Sequence, residues 1–358
     1  MEVPRRRSRQ VSIGPLRVGG DAPIRVESMV KSGYEDEGEM LRELEALASC
    51  GCELARVSLP SYDLVEAFGR VVSRSPLPVM ADVHFDHRLA LAAIERGASG
   101  VRINPGNLAP DRLKEVVEAA AQARVPLRIG ANSGSLSRRH WEAGEGDEAR
   151  SLVRATMEHI LAIEDLGFQE LIMSAKSTDP MVTLRANLEL SKLRDYPMHV
   201  GVTEAGPGRG GLIKSAVGIA LMLYHGVGDT IRVSLTAPSV EEVEAGYWIL
   251  QSMGLRRKYA DLVSCPTCSR RRMDLSTMGD LLAFVLPMLP SDMTFAIMGC
   301  EVNGPQEASS ADLGIAGTAG GVVVFRKGKA LARFDLHGSS LEELKGFIEA
   351  VLSGVKEE

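Results

Sequence analysis

The chain of 358 residues is longer than one typical domain and has room for a large barrel with or without a small second domain. Its 45% hydrophobic and 25% charged residues are typical of a folded globular protein. A net charge of -6 argues against general nucleic-acid binding, which needs a basic surface. Since no apolar run could span a bilayer and the basic start lacks the apolar stretch of a secretory signal, we expect a cytoplasmic protein without a membrane partner.

Short β-branched runs alternate with amphipathic stretches over the first two thirds of the chain. Eight parallel strands, each followed by a helix, close into a (β/α)8 barrel. We therefore predict an α/β fold: a TIM barrel over residues 1–253, preceded by a hairpin in RQVSIGPLRVGG that covers its floor, and then a small α+β domain over residues 254–358. The eight runs begin at Ile24, Glu53, Pro78, Gly100, Pro126, Glu170, Pro197 and Asp229.

Basic residues recur near the ends of these predicted strands, where barrel enzymes place their chemistry. Any one of them alone is most simply a solvated or ion-paired residue. Five at corresponding positions predict a site for a small polyanion such as a phosphate or diphosphate. Glu204, in GVTEAGPGRGG, suits a proton donor or base. The five are Arg56, Arg102, Arg128, Lys176 and Arg232.

The five cysteines are an odd number, which disfavours a disulfide framework. Cys50 and Cys52 are best explained as small buried hydrophobic residues. In the second domain Cys265 and Cys268 form a Cys-x-x-Cys turn, and Cys300 follows an apolar run. Three thiolates suit a four-iron four-sulfur cluster, with Glu307 in CEVNGPQEA as a candidate fourth ligand, but this chemistry alone leaves structural zinc and a disulfide redox pair open.

A series of ordered motifs resembles one family, the 4-hydroxy-3-methylbut-2-enyl diphosphate synthases of the methylerythritol phosphate route to isoprenoids. The motifs are ADVHFD, RINPGN, RIGANSGSL, GVTEAG, KSAVGI, GDTIRVSLT, SCPTC and MGCEVNGPQEA, and the resemblance spans nearly the whole chain. Two features depart from it: Gln306 stands where the family pattern has glycine, and the segment after Ser28-Met29 is unusual.

The resemblance implies a two-electron reduction of 2-C-methyl-D-erythritol 2,4-cyclodiphosphate, with loss of water, to the open allylic diphosphate. It implies a 4Fe-4S cluster on Cys265, Cys268, Cys300 and Glu307, with flavodoxin or ferredoxin as electron donor. Glu204 would act in proton transfer, and Glu307, a more exchangeable ligand than a thiolate, would also be catalytic. The implied substrate-binding residues are Arg56, Arg102, Arg128, Asn132, Lys176, Arg232 and Ser234.

The linker GLRRKYADLVS is short. It follows the last barrel helix, and barrel helices run from the mouth back to the floor. We therefore expect a head-to-tail homodimer in which each cluster domain serves the partner's barrel, an arrangement that the resemblance also implies. Two alternatives stay open. One is a zinc-stabilised barrel lyase or transferase acting on a phosphorylated metabolite, and the other is a non-enzymatic iron-sulfur sensor.

Overall fold

A computed structural model describes residues 5–84, 86–104, 108–265, 267–301, 308–335 and 340–354. The chain divides into two compact units, residues 1–256 and 257–358. Each unit has its own sheet and its own hydrophobic core.

The first unit contains an eight-stranded parallel sheet in the order β8-β7-β6-β5-β4-β3-β10-β9. A parallel bridge between Met173 and Met198 joins the two end strands, so the sheet closes into a barrel. The predicted (β/α)8 barrel is confirmed, and all eight predicted runs contain a strand. The strands are β3 (Arg25–Met29), β4 (Leu54–Ser58), β5 (Val79–Asp82), β6 (Gly100–Ile103), β7 (Leu127–Asn132), β8 (Leu171–Lys176), β9 (His199–Val200) and β10 (Thr230–Ile231).

Helices follow the barrel strands, and several begin at an aspartate that satisfies free backbone N–H groups of the first turn. Asp36, Asp86, Asp147 and Asp179 each accept such a hydrogen bond through the carboxylate. The helices are α1 (Glu37–Ser49), α2 (Val65–Arg74), α3 (His87–Glu95), α4 (Pro110–Ala123), α5 (Arg138–Ala143), α6 (Glu148–Glu164), α7 (Pro180–Leu193), α8 (Gly208–Tyr224) and α9 (Ser239–Ser252).

The predicted hairpin is present as β1 (Val11–Ile13) and β2 (Leu16–Val18), which pair antiparallel. Ile13 packs with Leu54, Met80 and Ile172, which lie toward the amino-terminal ends of the barrel strands. The hairpin therefore covers the barrel floor, as predicted. Because the floor is filled by apolar side chains, the opposite end is left for chemistry.

The second unit contains a five-stranded sheet in the order β11-β12-β13-β14-β15. Strands β11 to β13 are parallel, and β13 to β15 are antiparallel. The α+β fold predicted for this part is confirmed. Its elements are β11 (Asp261–Ser264), α10 (Leu275–Val285), β12 (Thr294–Met298), β13 (Leu313–Thr318), β14 (Gly321–Arg326), β15 (Lys329–Phe334) and α11 (Ser340–Leu352).

Helices α10 and α11 pack on one face of this sheet. Leu281 and Ile348 from the helices meet Phe295, Ile315 and Val324 from the strands in a buried core. In the part of the chain that the structure describes, no helix has both the length and the apolar character needed to span a membrane.

Candidate active site

A cleft opens at the carboxyl ends of the barrel strands. Its lining is strongly cationic, and it brings together all five basic residues that the strand-end pattern singled out. The lining residues are Arg56, Asp82, His84, Arg102, Arg128, Gly130, Asn132, Ser174, Lys176, His199, Val202, Thr203, Arg232 and Ser234.

Asp82, at the end of β5, holds two of the arginines. Its carboxylate accepts a hydrogen bond from Arg102 Nη1 at 3.1 Å and lies 3.6 Å from Arg56 Nε. His84 Nε2 lies 3.4 Å from the same carboxylate. Burial opposes ionisation of Asp82, but Arg56 and the hydrogen bond with His84 outweigh it, so the pKa of Asp82 falls well below its usual range. Asp82 is therefore a fixed anion that positions Arg56 and Arg102.

Arg128 is held by Glu27, a residue that the sequence analysis did not assign. Its two terminal nitrogens donate to the two Glu27 oxygens at 2.7 and 2.5 Å, and both side chains are at most 1% exposed. Burial opposes the charge on Glu27, but Arg128 more than compensates, and the pKa of Glu27 is lowered. A glutamate in the middle of the apolar run IRVESMV was the available signal, since a buried strand carries a charge only when a partner faces it.

Glu242, the second unassigned carboxylate, contacts the cleft residue Arg232 from α9 and is fully buried. It lies 3.2 Å from Arg232 Nη2 and 2.9 Å from Lys31 Nζ, and it accepts a hydrogen bond from the Leu235 backbone N–H. The α9 pattern had indicated only a barrel helix. The turn between β10 and α9 brings Glu242 beside Arg232, ten residues before it in the chain.

Lys176 differs from the four arginines because it forms no ion pair with a carboxylate of the described residues. Its Nζ instead lies 2.8 Å from His199 Nε2, and His199 Nδ1 lies 2.8 Å from Thr230 Oγ1. Burial, together with the nearby charge of Arg56, lowers the pKa of Lys176 well below 10.5. Burial and the charge of Arg128 likewise lower the pKa of His199 well below 6.5. This corner of the cleft can therefore gain a proton when an anion enters.

The remaining residues predicted for the barrel site divide into two groups. Asn132 and Ser234 line the cleft. Glu204 does not; it is exposed on the segment between β9 and α8, next to Thr203, which does line it. The Glu204 backbone has a φ of 49°, a left-handed conformation that non-glycine residues adopt rarely and often at functional sites.

The thiols of the second unit lie at one corner of its sheet. Cys265 follows β11, and Cys300 follows the neighbouring parallel strand β12. The Cys265 backbone N–H donates to the Ile297 carbonyl oxygen at 3.0 Å. A side chain added at Gly299 would contact Thr267 at 2.9 Å, so the Cys-x-x-Cys turn packs directly over the residue that precedes Cys300.

These thiols form no disulfide. The Arg270 backbone N–H and the Arg270 side chain lower the pKa of Cys268, which favours the thiolate form that ligates metal. Within the described residues no three acidic, histidine or cysteine side chains are close enough to hold a single metal ion. Cys265, Cys268 and Cys300 are thiolate donors of the kind that iron-sulfur clusters use, and the two strand ends that carry Cys265 and Cys300 are adjacent. Glu307 lies outside the described residues.

Of the two cysteines of the first unit, Cys52 is buried as predicted, whereas Cys50 is only partly buried. Cys52 is buried, and burial raises the pKa of its thiol to about 12. The Cys50 thiol lies 3.2 Å from the Leu47 carbonyl oxygen. Cys52 is therefore not poised as a nucleophile, because only the thiolate is reactive.

Two family descriptions match this chain: "GcpE TIM-barrel domain" over residues 8–247 and "GcpE protein C-terminal domain" over residues 261–350. The chain belongs to the GcpE family. Its curated relatives include proteins named 4-hydroxy-3-methylbut-2-en-1-yl diphosphate synthase (flavodoxin). The Salinispora arenicola protein is 44% identical over 91% of this chain and 84% of its own length. The Desulfotalea psychrophila protein is 39% identical over 96% of both chains.

Among solved structures, the crystal structure of dihydropteroate synthase from Stenotrophomonas maltophilia resembles the barrel. It is 17% identical, with a TM-score of 0.51, and covers 70% of this chain and 100% of its own. At this identity the likeness supports the barrel fold and nothing about the reaction.

The buried pair of Arg128 and Glu27 predicts a stability defect. Arg128→Ala should lower the free energy of unfolding by about 3 to 5 kcal/mol, because it leaves the Glu27 carboxylate buried without its partner. Urea unfolding followed by circular dichroism measures this. The double variant Glu27→Gln/Arg128→Met should recover much of the loss. As a control, Arg138→Ala removes an exposed ion pair and should cost little. Equal costs for Arg128→Ala and Arg138→Ala would contradict the prediction.

Proposed function

We propose that this chain reduces 2-C-methyl-D-erythritol 2,4-cyclodiphosphate to 4-hydroxy-3-methylbut-2-enyl diphosphate in isoprenoid biosynthesis, with electrons from flavodoxin. The cationic cleft at the barrel mouth carries the proposal, because a small cyclic diphosphate needs that density of positive charge. The names of the relatives supply the substrate and the electron donor. A cytoplasmic location suits free thiols, which a reducing compartment maintains.

The cleft suits the diphosphate because its guanidinium groups are oriented before the substrate arrives. Asp82 and Glu27 hold Arg56, Arg102 and Arg128 through charged contacts. Such preorganised donors need little rearrangement when they bind phosphate oxygens. We assign diphosphate and ring-oxygen binding to Arg56, Arg102, Arg128, Asn132, Lys176, Arg232 and Ser234.

We assign the cluster to the second unit, with Cys265, Cys268 and Cys300 as thiolate ligands and Glu307 as the fourth, exchangeable ligand. When bound, the 4Fe-4S cluster supplies electrons one at a time. The reaction takes up two electrons and two protons and releases one water. Glu204, beside the cleft and open to solvent, is our candidate to deliver a proton, since an exposed carboxyl group can be reprotonated after each turnover.

We further propose that the active form is a head-to-tail homodimer. Arg256 Nη1 donates to the carbonyl of Ile24, which precedes β3, so the chain leaves the barrel at its floor and not at its mouth. Only residues 257–260 separate this point from β11. A linker this short, starting at the floor, would not carry a cluster domain to the mouth of its own barrel. The cluster domain of a second copy can serve that mouth instead.

An apolar stripe on α8 also favours association of two copies. Ile213, Val217 and Tyr224 are 62%, 46% and 57% exposed, and their spacing places them on one side of the helix. Large apolar side chains grouped in this way commonly mark a protein interface. A second copy of this chain would cover them.

Anaerobic purification and turnover test the function directly. We expect about four irons and four sulfides per chain, and conversion of the cyclic diphosphate with either dithionite or reduced flavodoxin. Cys300→Ala should lose both the iron and the turnover, whereas Glu307→Ala should keep much of the iron and lose turnover. Cys50→Ala, in the first unit and outside the proposed ligand set, is the control. Zinc without sulfide would contradict the redox function and favour a zinc-stabilised lyase or transferase.

The lowered pKa of Lys176 predicts that diphosphate binding takes up a proton. The bound anion favours the ammonium form and raises this pKa, so the affinity should fall as pH rises above the pKa of the free site. Calorimetry with inorganic pyrophosphate, in buffers of different ionisation heat, should show an uptake of up to about one proton per site. Lys176→Met should abolish the uptake, and Ser234→Ala should keep it. Binding without proton uptake by the parent protein would contradict this account.

Subunit complementation tests the shared active site. Glu204→Ala and Cys300→Ala chains should each be inactive alone, because one lacks the proton donor and the other the cluster. After subunit exchange, up to about a quarter of the sites should combine an intact barrel with an intact cluster domain if the chains mix at random. Turnover that stays absent, although size and mass measurements show mixed dimers, would place the site within one chain.

A further inference from the structure

Three consecutive arginines, Arg270, Arg271 and Arg272, follow the Cys-x-x-Cys turn, and all three are exposed. We call them the arginine patch. Within the described residues none of the three forms an ion pair. The patch is a local exception to the charge of its unit, since residues 257–358 contain 13 Asp and Glu against 11 Lys and Arg. An unneutralised cluster of this kind is suited to binding an anionic partner.

The backbone of the arginine patch is fixed against the thiol corner. The Arg271 N–H donates to the Cys268 carbonyl at 3.0 Å, and the Arg272 N–H donates to the Gly299 carbonyl at 2.7 Å. Met273, the next residue, is buried in the core of the unit. The three charges are therefore presented from a fixed backbone at the edge of the proposed cluster site.

The described carboxylates nearest along the chain, Asp274 and Glu301, form no ion pair with the patch. Asp274, the next residue after Met273, uses its two oxygens to accept hydrogen bonds from the N–H and hydroxyl of Thr277, at the start of α10. Glu301, which follows Cys300, forms no ion pair with any of the described arginines. The patch keeps its positive potential and presents it to solvent.

We infer that the arginine patch is the docking surface for an acidic electron-carrier protein, which delivers electrons to the cluster. This rests on the proposed function, and it names the face of the chain that the carrier contacts. Each docked carrier gives up one electron and leaves oxidised by one electron, so two encounters supply one turnover. Exposed arginines give fast, salt-sensitive association with an acidic surface, which suits a transient partner.

The small substrate is a poorer match for the arginine patch. A tightly bound small anion is usually held by buried side chains fixed by partners, as the barrel cleft provides. The Arg271 and Arg272 side chains are exposed and form no ion pair within the described residues. Electrostatic steering of a large acidic surface, by contrast, does not require the arginines to be held in place.

Direct binding of oxidised flavodoxin to the cluster-loaded enzyme tests the inference. The variant Arg271→Glu/Arg272→Glu spares Arg270, whose side chain interacts with Cys268. We expect its dissociation constant at low ionic strength to rise by at least about tenfold, with a weaker dependence on salt. The matched control is Lys329→Glu, which reverses one exposed charge. Lys329 is the first residue of β15 and lies opposite Arg326 of β14 in the sheet, at the edge away from the thiol corner. It should leave binding within about twofold of the parent.

Turnover with dithionite separates docking from chemistry. The double variant should keep the iron content, absorption spectrum and dithionite-driven turnover of the parent, and lose turnover only with flavodoxin. Unchanged flavodoxin binding, or no binding by the parent, would overturn the inference. So would a matching loss of dithionite turnover, because the patch would then act on the substrate or the cluster. A parent without iron or turnover would instead refute the proposed function.

Discussion

The barrel site depends on the burial of several positive charges in one small cleft. Arginines and a lysine that converge within a closed barrel repel each other and lose hydration, and both effects oppose folding. Buried carboxylates on three different elements offset this cost: Glu27 on β3, Asp82 on β5 and Glu242 on α9. The same contacts that make the charges tolerable also fix the directions of the guanidinium groups.

Lys176 has a different kind of neighbour from the arginines, and this allows its charge to change when a ligand binds. It has a neutral imidazole as neighbour where the arginines have carboxylates, so its charge is the one that the site can adjust. An arginine in the same place would stay protonated, because its intrinsic pKa is too high to be brought into the physiological range. A cleft with four fixed cations and one adjustable cation can respond to the charge of the anion that it binds.

In the proposed function, the two units carry two kinds of chemistry that make opposite demands on their surroundings. Binding a diphosphate requires buried, oriented donors, which a barrel supplies at the carboxyl ends of its strands. Receiving electrons from another protein requires an accessible site close to the surface. The second unit meets that demand: its thiols lie at the end of two adjacent strands, with Cys300 buried and Cys268 exposed beside the arginine patch.

The sequence by itself determined the barrel, the floor hairpin, the α+β second part and the five cations of the cleft. These follow from local patterns, since strand runs and strand-end positions are set by neighbours along the chain. Only the tertiary structure decided how the cations are held, because Glu27 lies 101 positions from Arg128 and barrel closure brings them together. It likewise showed that Glu204 lies beside the cleft and not in its lining. That position depends on a left-handed backbone at one loop residue, and periodicity cannot encode such a local turn.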